Sequence, residues 1–328
     1  MAKLQVNNLS VRIPTPDGGG YAVNQVSFEV QSGQVVCLVG ESGCGKSTTA
    51  LGIMRLLSDS VQLSGAISLD DTELLSLSEE KMCNIRGNKM SMVFQEPMTA
   101  LNPVQTIGAQ VAEPLIIHGK ATRKSALHSA IELLEQVGIP NASQRIRHYP
   151  HQLSGGQRQR VVIAMALACA PDFIIADEPT TALDTTVQRQ ILKLLLDLVD
   201  TTGTGLLMIT HNLAVVSEIA DHVLVMYAGR IVESGSTHDV FHRPAHPYTL
   251  GLLAALPSTH KTERLLAIPG TVPSLSAPSP GCAFANRCSW VQPQCQQTQP
   301  ELLEVHPQHM ARCFYAKQIL ASDGASHA

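Results

Sequence analysis

A glycine-rich loop carries the clearest chemistry in this sequence. The loop fits the pattern G-x-x-x-x-G-K-[ST], follows the apolar run Val35–Val39 and opens into a helical pattern over Lys46–Leu57. Its residues are Gly40, Glu41, Ser42, Gly43, Cys44, Gly45, Lys46, Ser47 and Thr48. Glycines let backbone N–H groups wrap phosphate oxygens, while the lysine reaches the β and γ phosphates and Ser47 offers its hydroxyl to Mg²⁺. The loop therefore predicts a nucleoside triphosphate site, and the alternative is an ordinary turn before a helix.

A second chemical feature is a pair of carboxylates at the end of a buried strand. The apolar run Phe173–Ala176 leads directly into Asp177 and Glu178. Side chains alternate along a strand, so the two carboxylates start on opposite faces and can take different roles. Asp177 fits a Mg²⁺ ligand, direct or through water, and Glu178 fits a base or orienter for an attacking water.

Three single residues are candidates for the nucleotide site only because the motifs described above are present in the same chain. Gln95 ends the strand Ser91–Phe94, at a place suited to touch a metal-bound water and sense nucleotide. His211 ends the buried strand Gly205–Thr210, and a position beside the γ phosphate would explain it. Tyr21 is a candidate to stack on adenine, although simple packing is the alternative. Taken alone, Gln95 would be a surface residue and His211 a structural one.

A second glycine-containing helix start lies more than a hundred residues after the first. Ser154, Gly155, Gly156 and Gln157 precede an apolar helix beginning near Val161. Ser154 and Gln157 have the spacing of a capping box, which is the structural alternative. Two adjacent glycines also expose N–H donors at the positive end of a helix dipole. Two anion sites in a chain with one nucleotide loop suggest that the second serves the ATP of another subunit.

The rest of the sequence predicts the strands and helices that position these candidate residues. Leu4–Ile13 and Ala22–Val30 read as strands around the turn Pro14–Gly20 and predict an antiparallel β layer. The stretch Ile107–Tyr149 reads as helical and as an insertion between core strands. Its clearest helix is Thr122–Val137, with Thr122 as N-cap and Gly138 closing it. Further predicted elements are a strand over Ser64–Asp70, a short helix over Lys81–Arg86 and an irregular loop over Glu96–Pro103.

Length and composition limit the class of protein. The 328 residues are 44% hydrophobic, enough for one large domain plus an extension. The net charge is −4 with no long basic run, so nucleic acid is not expected as a partner. We expect no signal peptide at Met1–Leu9, and the longest apolar run, Val161–Ala170, is far short of the ~20 residues of a membrane span. A soluble, cytosolic chain is therefore expected.

The eight cysteines suggest a site of their own, because in a reducing compartment they argue against structural disulfides. Cys282, Cys288, Cys295 and Cys313 have the spacing C-x5-C-x6-C-x17-C, which matches neither zinc-finger pairs nor the ferredoxin run. Four thiolates suit an iron–sulfur cluster or tetrahedral zinc, free or oxidised thiols remain an alternative, and His306 and His309 compete as ligands. The remaining cysteines are scattered: Cys37, Cys83 and Cys169 are expected to be buried, and Cys44 fills a variable slot of the phosphate loop.

Taken in order, these motifs resemble the nucleotide-binding subunit of an ABC transporter. The resemblance covers about residues 1–245 and rests on the loop Gly40–Thr48, Gln95, Leu153–Gln157, Asp177-Glu178, Asp184 and His211. It implies an α/β P-loop NTPase fold of ABC type, with a mixed sheet core, an antiparallel β layer and an inserted helical subdomain at about 96–165. Residues 246–328 would form a Cys-rich C-terminal extension.

The resemblance also implies roles for the site residues. Two such domains would close head to tail, with Ser154 and Gly156 contacting the γ phosphate held by the partner's phosphate loop. Glu178 would polarise water, and His211 would link it to the γ phosphate, with Gln95 beside them. Mg²⁺ would be held through Ser47, Gln95 and Asp177. Asp184 would serve communication across the dimer.

Flanking motifs narrow the resemblance to the oligopeptide and dipeptide importers, a group that includes nickel importers. They are Phe94–Pro97, Ala100–Pro103, Tyr149–Gln152, His246–Thr249, Ile268–Pro273 and Gly281-Cys282. The implied protein is an ATPase on the cytoplasmic side of the inner membrane that powers peptide uptake. Its implied partners are a homologous second ATPase subunit, with a heterodimer expected, two membrane permease subunits and an extracytoplasmic peptide-binding protein. In some subunits of this family the tail cysteine pattern is associated with a [4Fe–4S] cluster, which is favoured here over zinc.

Two alternatives compete with peptide import. One is a soluble ABC ATPase of DNA repair or translation. Such proteins usually carry coiled-coil insertions or two cassettes, and neither feature is visible in this sequence. The other keeps the transporter but changes the cargo to nickel, haem or a cationic peptide, because cargo specificity lies in subunits that are separate chains.

Overall fold

The computed structural model describes residues 2–15, 19–181, 183–256, 268–273 and 279–323. Parts of the turn Pro14–Gly20 and of the connector 269–280 therefore lie outside the described residues. The strands are β1 (Lys3–Ile13), β2 (Gly20–Gln31), β3 (Val35–Val39), β4 (Gln62–Leu69), β5 (Thr72–Glu73), β6 (Met90–Val93), β7 (Phe173–Asp177), β8 (Gly205–Thr210), β9 (His222–Tyr227), β10 (Arg230–Ser236), β11 (Leu303–His306) and β12 (His309–Ala311).

The structure contains the predicted helices and further helices for which the sequence analysis made no prediction. They are α1 (Lys46–Ile53), α2 (Glu79–Ile85), α3 (Pro97–Ala100), α4 (Ile107–Ile117), α5 (Arg123–Gln136), α6 (Ala142–Arg145), α7 (Gly155–Leu167), α8 (Thr185–Thr202), α9 (Leu213–Ile219), α10 (Thr237–His242), α11 (Pro247–Ala254), α12 (Pro293–Gln297) and α13 (Ala316–Asp323). Short 3₁₀ turns occupy Pro150–Gln152 and Ala285–Arg287.

The chain divides into two compact units. We call residues 5–29, 35–67 and 209–328 the phosphate-loop unit, and residues 1–4, 30–34 and 68–208 the helical unit. The phosphate loop, His211 and the four tail cysteines belong to the first. Gln95, the second glycine motif, Asp177 and Glu178 belong to the second.

The phosphate-loop unit contains strands in the order β11-β12-β10-β9-β3. β3 pairs parallel with β9, placing Val36 opposite His222 and Val39 opposite Val225, whereas β9 pairs antiparallel with β10. The predicted mixed sheet is therefore confirmed. Every residue of β3 is buried, as expected for a central strand that is apolar on both faces. A separate sheet runs in the order β2-β1-β4.

The helical unit places a small parallel sheet beside a group of packed helices. β6 pairs parallel with β7, with Met90 opposite Phe173 and Val93 opposite Ala176, and β8 lies on the far side of β7. Helices α4, α5 and α7 pack against one another. The predicted Thr122 N-cap is confirmed, since its hydroxyl accepts a hydrogen bond from Ser125 N.

Three local predictions are wrong. The helix predicted over Lys46–Leu57 ends at Ile53, because Arg55 adopts a left-handed backbone with φ 52°. The stretch Glu96–Pro103, predicted to be irregular, contains the one-turn helix α3, which Pro97 begins because its fixed φ suits a first helical position. Cys83, predicted to be buried, lies on an exposed face of α2.

Candidate nucleotide site

Three glycines shape the phosphate loop, and two of them lie too close to neighbouring backbone for any side chain. Gly40, Gly43 and Gly45 have φ values of 152°, 79° and 107°. A Cβ at Gly40 would lie 2.2 Å from the Met226 carbonyl oxygen, and one at Gly45 would lie 2.3 Å from the Ala22 carbonyl oxygen. Positive φ and close backbone approach both demand glycine. The sequence pattern thus builds a tight loop between β3 and α1.

Lys46 folds back over this loop. Its side chain is buried, and Nζ donates hydrogen bonds to the carbonyl oxygens of Gly40 at 2.8 Å and Glu41 at 2.9 Å. A buried ammonium needs such partners, because removing a charge from water is costly. Lys46 is the first residue of α1, so its charge lies at the N-terminal end of that helix, where anions are also favoured.

Tyr21 lies near the phosphate loop with an exposed ring. It belongs to β2, its side chain is 48% exposed, and the carbonyl of the adjacent Ala22 forms the wall that Gly45 approaches. An exposed aromatic beside a phosphate-binding loop can stack on a base without rearranging a core. The described geometry is compatible with the stacking prediction, which stays a prediction.

The helical unit brings Gln95 and Glu178 together. β6 and β7 are parallel neighbours, so the residues that follow them meet at one edge. Gln95 Nε2 lies 3.5 Å from Glu178 Oε2, and Thr181 Oγ1 donates to the same oxygen at 2.7 Å. Glu178 has φ 46°, a left-handed value that is uncommon for this residue type and is concentrated at functional sites. Asp177, at the end of β7, is buried.

The second glycine motif caps α7 and packs on the start of α8. Gln157 N donates to Ser154 Oγ at 3.3 Å, and Ser154 N donates to Gln157 Oε1 at 3.1 Å, so the capping box is confirmed. A Cβ at Gly156 would lie 2.6 Å from Val187 Cγ1. Asp184 caps α8 by accepting from Val187 N at 3.0 Å. Val187 therefore lies close to Gly156 of the second glycine motif and also donates a hydrogen bond to Asp184.

His211 follows β8 and is exposed. The next residue, Asn212, caps α9 by accepting from Ala214 N at 3.1 Å. The capping residue fixes where α9 begins, and His211 is left at the strand end as the sequence predicts. Its role stays a prediction.

The four tail cysteines line one cavity. Cys282, Cys288, Cys295 and Cys313 share it with apolar and aromatic side chains that include Phe284, Trp290 and Tyr315. Burial, reinforced by the other tail cysteines, raises the pKa of Cys288 to about 11 and that of Cys313 to about 12. All four are thiols here. Among the described residues, no group of three or more His, Cys, Asp or Glu side chains already has the arrangement to hold a metal ion.

The prediction that His306 and His309 compete as ligands is wrong, because neither lines this cavity. His309 is buried, and its Nε2 lies 2.8 Å from Oε1 of the buried Glu233. His306 Nε2 lies 3.3 Å from Arg243 Nη1. His309 therefore joins β12 to β10, and the cysteines are left as the metal candidates of the tail.

Two regions of the chain match known protein families. The family described as "ABC transporter" matches residues 23–181, and the family "Oligopeptide/dipeptide transporter, C-terminal region" matches residues 232–295. The oligopeptide transport ATP-binding protein AppD of Bacillus subtilis is 49% identical over 95% of this chain and 96% of its own length. A peptide import ATP-binding protein of Brucella abortus is 52% identical over 92% of this chain and 93% of its own.

The chain belongs to the ATP-binding subunits of ABC-type oligopeptide and dipeptide importers. Solved ABC structures agree with the fold of this subunit. The dimeric ATP-binding cassette MJ0796, in a post-hydrolysis state bound to ADP and Pi, has a TM-score of 0.64 and 29% identity, covering 71% of this chain and 98% of that one. The cbiO1 protein of Clostridium perfringens has a TM-score of 0.61 and 28% identity, covering 73% and 90%. The subunit is an ABC ATPase.

None of the helices in the described ranges of this ABC subunit is both long and apolar enough to cross a bilayer. The structure also shows two polar contacts that the sequence motifs do not include. Thr181 fixes an oxygen of Glu178, and the Tyr248 hydroxyl accepts a hydrogen bond from the Glu41 N–H at 2.8 Å. Thr181 lies three residues after Glu178, a spacing that could have indicated the first contact. Tyr248 lies 207 residues from Glu41, and no local pattern predicts that contact.

Proposed function

We propose that this chain hydrolyses ATP to power the uptake of dipeptides and oligopeptides through a membrane ABC importer. The observation that carries the proposal is the combination, in one chain, of an ABC ATPase region with the C-terminal region of oligopeptide transporters. The relatives named above are described as peptide transport or import proteins, and this chain aligns with nearly their whole length. A soluble role in DNA repair or translation is not favoured by these relatives, and neither is nickel, haem or a cationic peptide as cargo.

The phosphate loop Gly40–Thr48 holds the triphosphate, and Tyr21 stacks on the adenine. Ser47, Gln95 and Asp177 each carry a side-chain oxygen, the type of ligand that Mg²⁺ prefers, and they are the proposed ligands of this ion. Glu178 accepts a proton from the attacking water, which requires an oriented carboxylate. Thr181, donating at 2.7 Å, supplies that orientation. His211 assists at the γ phosphate.

The start of α7 serves the ATP of a partner. Ser154 and Gly155 are exposed, so backbone N–H groups at the positive end of this helix are available to an anion outside the chain. Ser154, Gly155, Gly156 and Gln157 therefore seal a nucleotide held by a second, homologous ATPase subunit. Asp184, joined to this motif through Val187, communicates closure of the dimer, and we expect the partner to be a different chain.

The permease contacts the helical unit. Residues 96–165 form the helical subdomain, in which α4, α5 and α7 pack together. Large apolar side chains are exposed on this part of the chain: Met98 60%, Val104 79%, Ile117 70% and Leu127 45%. Contiguous exposed apolar patches mark interaction sites, and the proposal is that these side chains form such a patch. Two permease subunits cover it, which places the ATPase peripherally on the cytoplasmic side of the membrane, and an extracytoplasmic binding protein delivers the peptide.

Residues 1–245 are the proposed ATPase domain and residues 246–328 the proposed extension, whose described strands pair with the domain. Glu233 of β10 is opposite Ala311 of β12, so the extension adds strands to the domain. Ala245, Ala311 and Ala316 form a buried cluster at this junction. Such packing makes the extension part of the folded ATPase.

The tail cysteines hold a [4Fe–4S] cluster, with zinc as the alternative. Four thiols around one apolar cavity are the donor set that both groups require. A bound cluster would supply a site for one-electron chemistry and a covalent tie across the tail. Burial raises the pKa of the Cys288 and Cys313 thiols, and metal binding must overcome this because the ligand is the thiolate.

Metal content tests the cysteine site directly. Purified without oxygen, the chain should be brown and contain about four irons per molecule, as a cubane cluster requires. Cys295→Ser should lose the colour and most of the iron. Cys83→Ser, which changes an exposed cysteine on α2, is the matched control and should keep both. Stoichiometric zinc without iron would reverse the assignment, and protein without either metal would remove it.

Reconstitution tests the function as a whole. The ATPase, purified with its permease and binding protein, should hydrolyse ATP faster when a peptide is supplied, and peptide should accumulate inside vesicles. Stimulation by nickel or haem with no response to peptides would reject the proposed cargo. Purification with DNA or ribosomes and without permease subunits would reject the transporter.

A further inference from the structure

Arg287 forms a long-range contact with the phosphate loop that the proposed mechanism does not use. Its Nη1 and Nη2 donate to the two carboxylate oxygens of Glu41, at 2.7 Å and 2.9 Å. The two residues are 246 positions apart in the chain. A fork of two parallel hydrogen bonds is the strongest geometry available to an arginine and a carboxylate.

The environment of Arg287 distinguishes this contact from an ordinary surface ion pair. The side chains of Arg287 and Glu41 are only 5% and 30% exposed, and the hydrogen bonds to Glu41 raise the pKa of Arg287. Arg287 Nε donates to the Pro269 carbonyl at 2.8 Å, and the guanidinium lies 5.7 Å from the centre of the Tyr227 ring. Exposed pairs contribute little to stability, whereas this one is fixed from several sides and shielded from water.

Glu41 occupies a variable position of the phosphate loop, yet it connects to the loop's essential lysine. Its carbonyl oxygen accepts from Lys46 Nζ at 2.9 Å, and its N–H donates to the Tyr248 hydroxyl at 2.8 Å. Fixing the Glu41 side chain therefore fixes a carbonyl that holds Lys46. A carboxylate in this loop also carries the same charge as a triphosphate and would repel it if left unpaired.

We propose that Arg287 is a positioning residue of the nucleotide site: it holds and neutralises Glu41 so that the phosphate loop can accept ATP. The proposal rests on the ATP-binding role of that loop. It assigns to the Cys-rich tail a function in nucleotide binding, because Arg287 lies in the turn Ala285–Arg287, immediately before Cys288.

Affinity for ATP tests the proposal, measured by titrating the full chain with a fluorescent ATP analogue. Arg287→Ala should weaken binding by about tenfold and raise KM while leaving kcat at saturating ATP unchanged, because the charge acts on binding. In the double variant E41Q/R287A the repelling charge is gone, and affinity should return to within about threefold of the wild type. Arg243→Ala, which removes an exposed arginine of the same unit, is the control and should bind normally.

Several results would overturn the proposed role of Arg287. Normal affinity in Arg287→Ala overturns the proposal, and so does a loss that the double variant does not recover, because the arginine would then only support the tail fold. If Arg287→Ala does not purify folded, Arg287→Lys and Arg287→Gln decide: the lysine keeps a positive charge beside Glu41 and should bind ATP within about threefold of the wild type, whereas the glutamine removes the charge and should bind about tenfold more weakly. Equal affinities of these two variants overturn the proposal. A wild-type chain that binds no ATP, or binds it without Lys46, would instead refute the proposed function.

Discussion

Glu178→Gln should stop ATP hydrolysis while leaving ATP bound. An amide has the size of the carboxylate and can still accept from Thr181 Oγ1, which lies 2.7 Å from the carboxylate oxygen Oε2. It cannot take a proton from water at neutral pH, so the chemical step should slow by about 10²-fold or more. Because the phosphate loop belongs to a different stretch of chain, ATP affinity should stay near the wild-type value. ATP would therefore accumulate on the enzyme and hold two subunits together.

Two measurements separate this expectation from a general loss of structure. Single-turnover hydrolysis reports the chemical step, and size-exclusion chromatography with ATP reports the closed dimer. Glu132→Gln is the matched control, because Glu132 is an exposed carboxylate on α5 that lies 3.6 Å from His128 Nε2 on the same helix. It should hydrolyse at the wild-type rate. Turnover by Glu178→Gln close to that of Glu132→Gln would remove Glu178 from its proposed role.

The backbone conformation of Glu178 is a further reason to replace this residue with glutamine. Its φ of 46° is left-handed, and a non-glycine residue held there costs about 1–3 kcal/mol. Such strain persists only where the surroundings impose it, and Thr181 N also bonds back to the Glu178 carbonyl at 3.2 Å. Glutamine meets the same backbone demand, so the comparison isolates the charge. A larger change at this position would mix chemistry with refolding of the turn.

Local features of the site were predictable from the sequence because local physics decides them. The Ser154–Gln157 capping box and the strand ending in Asp177 each depend on neighbours within a few residues, and the loop glycines are recognised from the spacing of their own motif. The structure confirms the strand and the capping box. The α5 helix was predictable for the same reason, since its apolar period and the Thr122 cap are both visible in the sequence.

Contacts between distant residues were not predictable. The Glu41 side chain is a variable letter in the motif, and its partner Arg287 comes 246 residues later. Predictions of burial are also unreliable when they rest only on the periodicity of apolar residues. Leu127 belongs to the apolar set of α5 but is 45% exposed, because the helices packed against α5 cover only part of that face. Cys44, in a loop, is buried, whereas Cys83, in a helix, is exposed.

Lys46→Ala should abolish tight ATP binding. The ammonium is the only charged group that the loop pattern places against the β and γ phosphates, and a buried charge-assisted contact of this kind is worth about 100-fold or more in affinity. The substitution also removes the hydrogen bonds to the Gly40 and Glu41 carbonyls, so part of the loss reflects a looser loop. Thermal unfolding without nucleotide measures that part separately.

The control is Lys317→Ala, which removes an exposed lysine on α13 of the same unit and should change neither affinity nor unfolding temperature. Lys46→Ala and Glu178→Gln should differ in kind: the first binds no ATP and forms no nucleotide-dependent dimer, whereas the second binds ATP and stays closed. If Lys46→Ala bound ATP like the wild type while unfolding at a lower temperature, the lysine would serve only to hold its own loop together. The nucleotide would then have to be held by other groups of the chain.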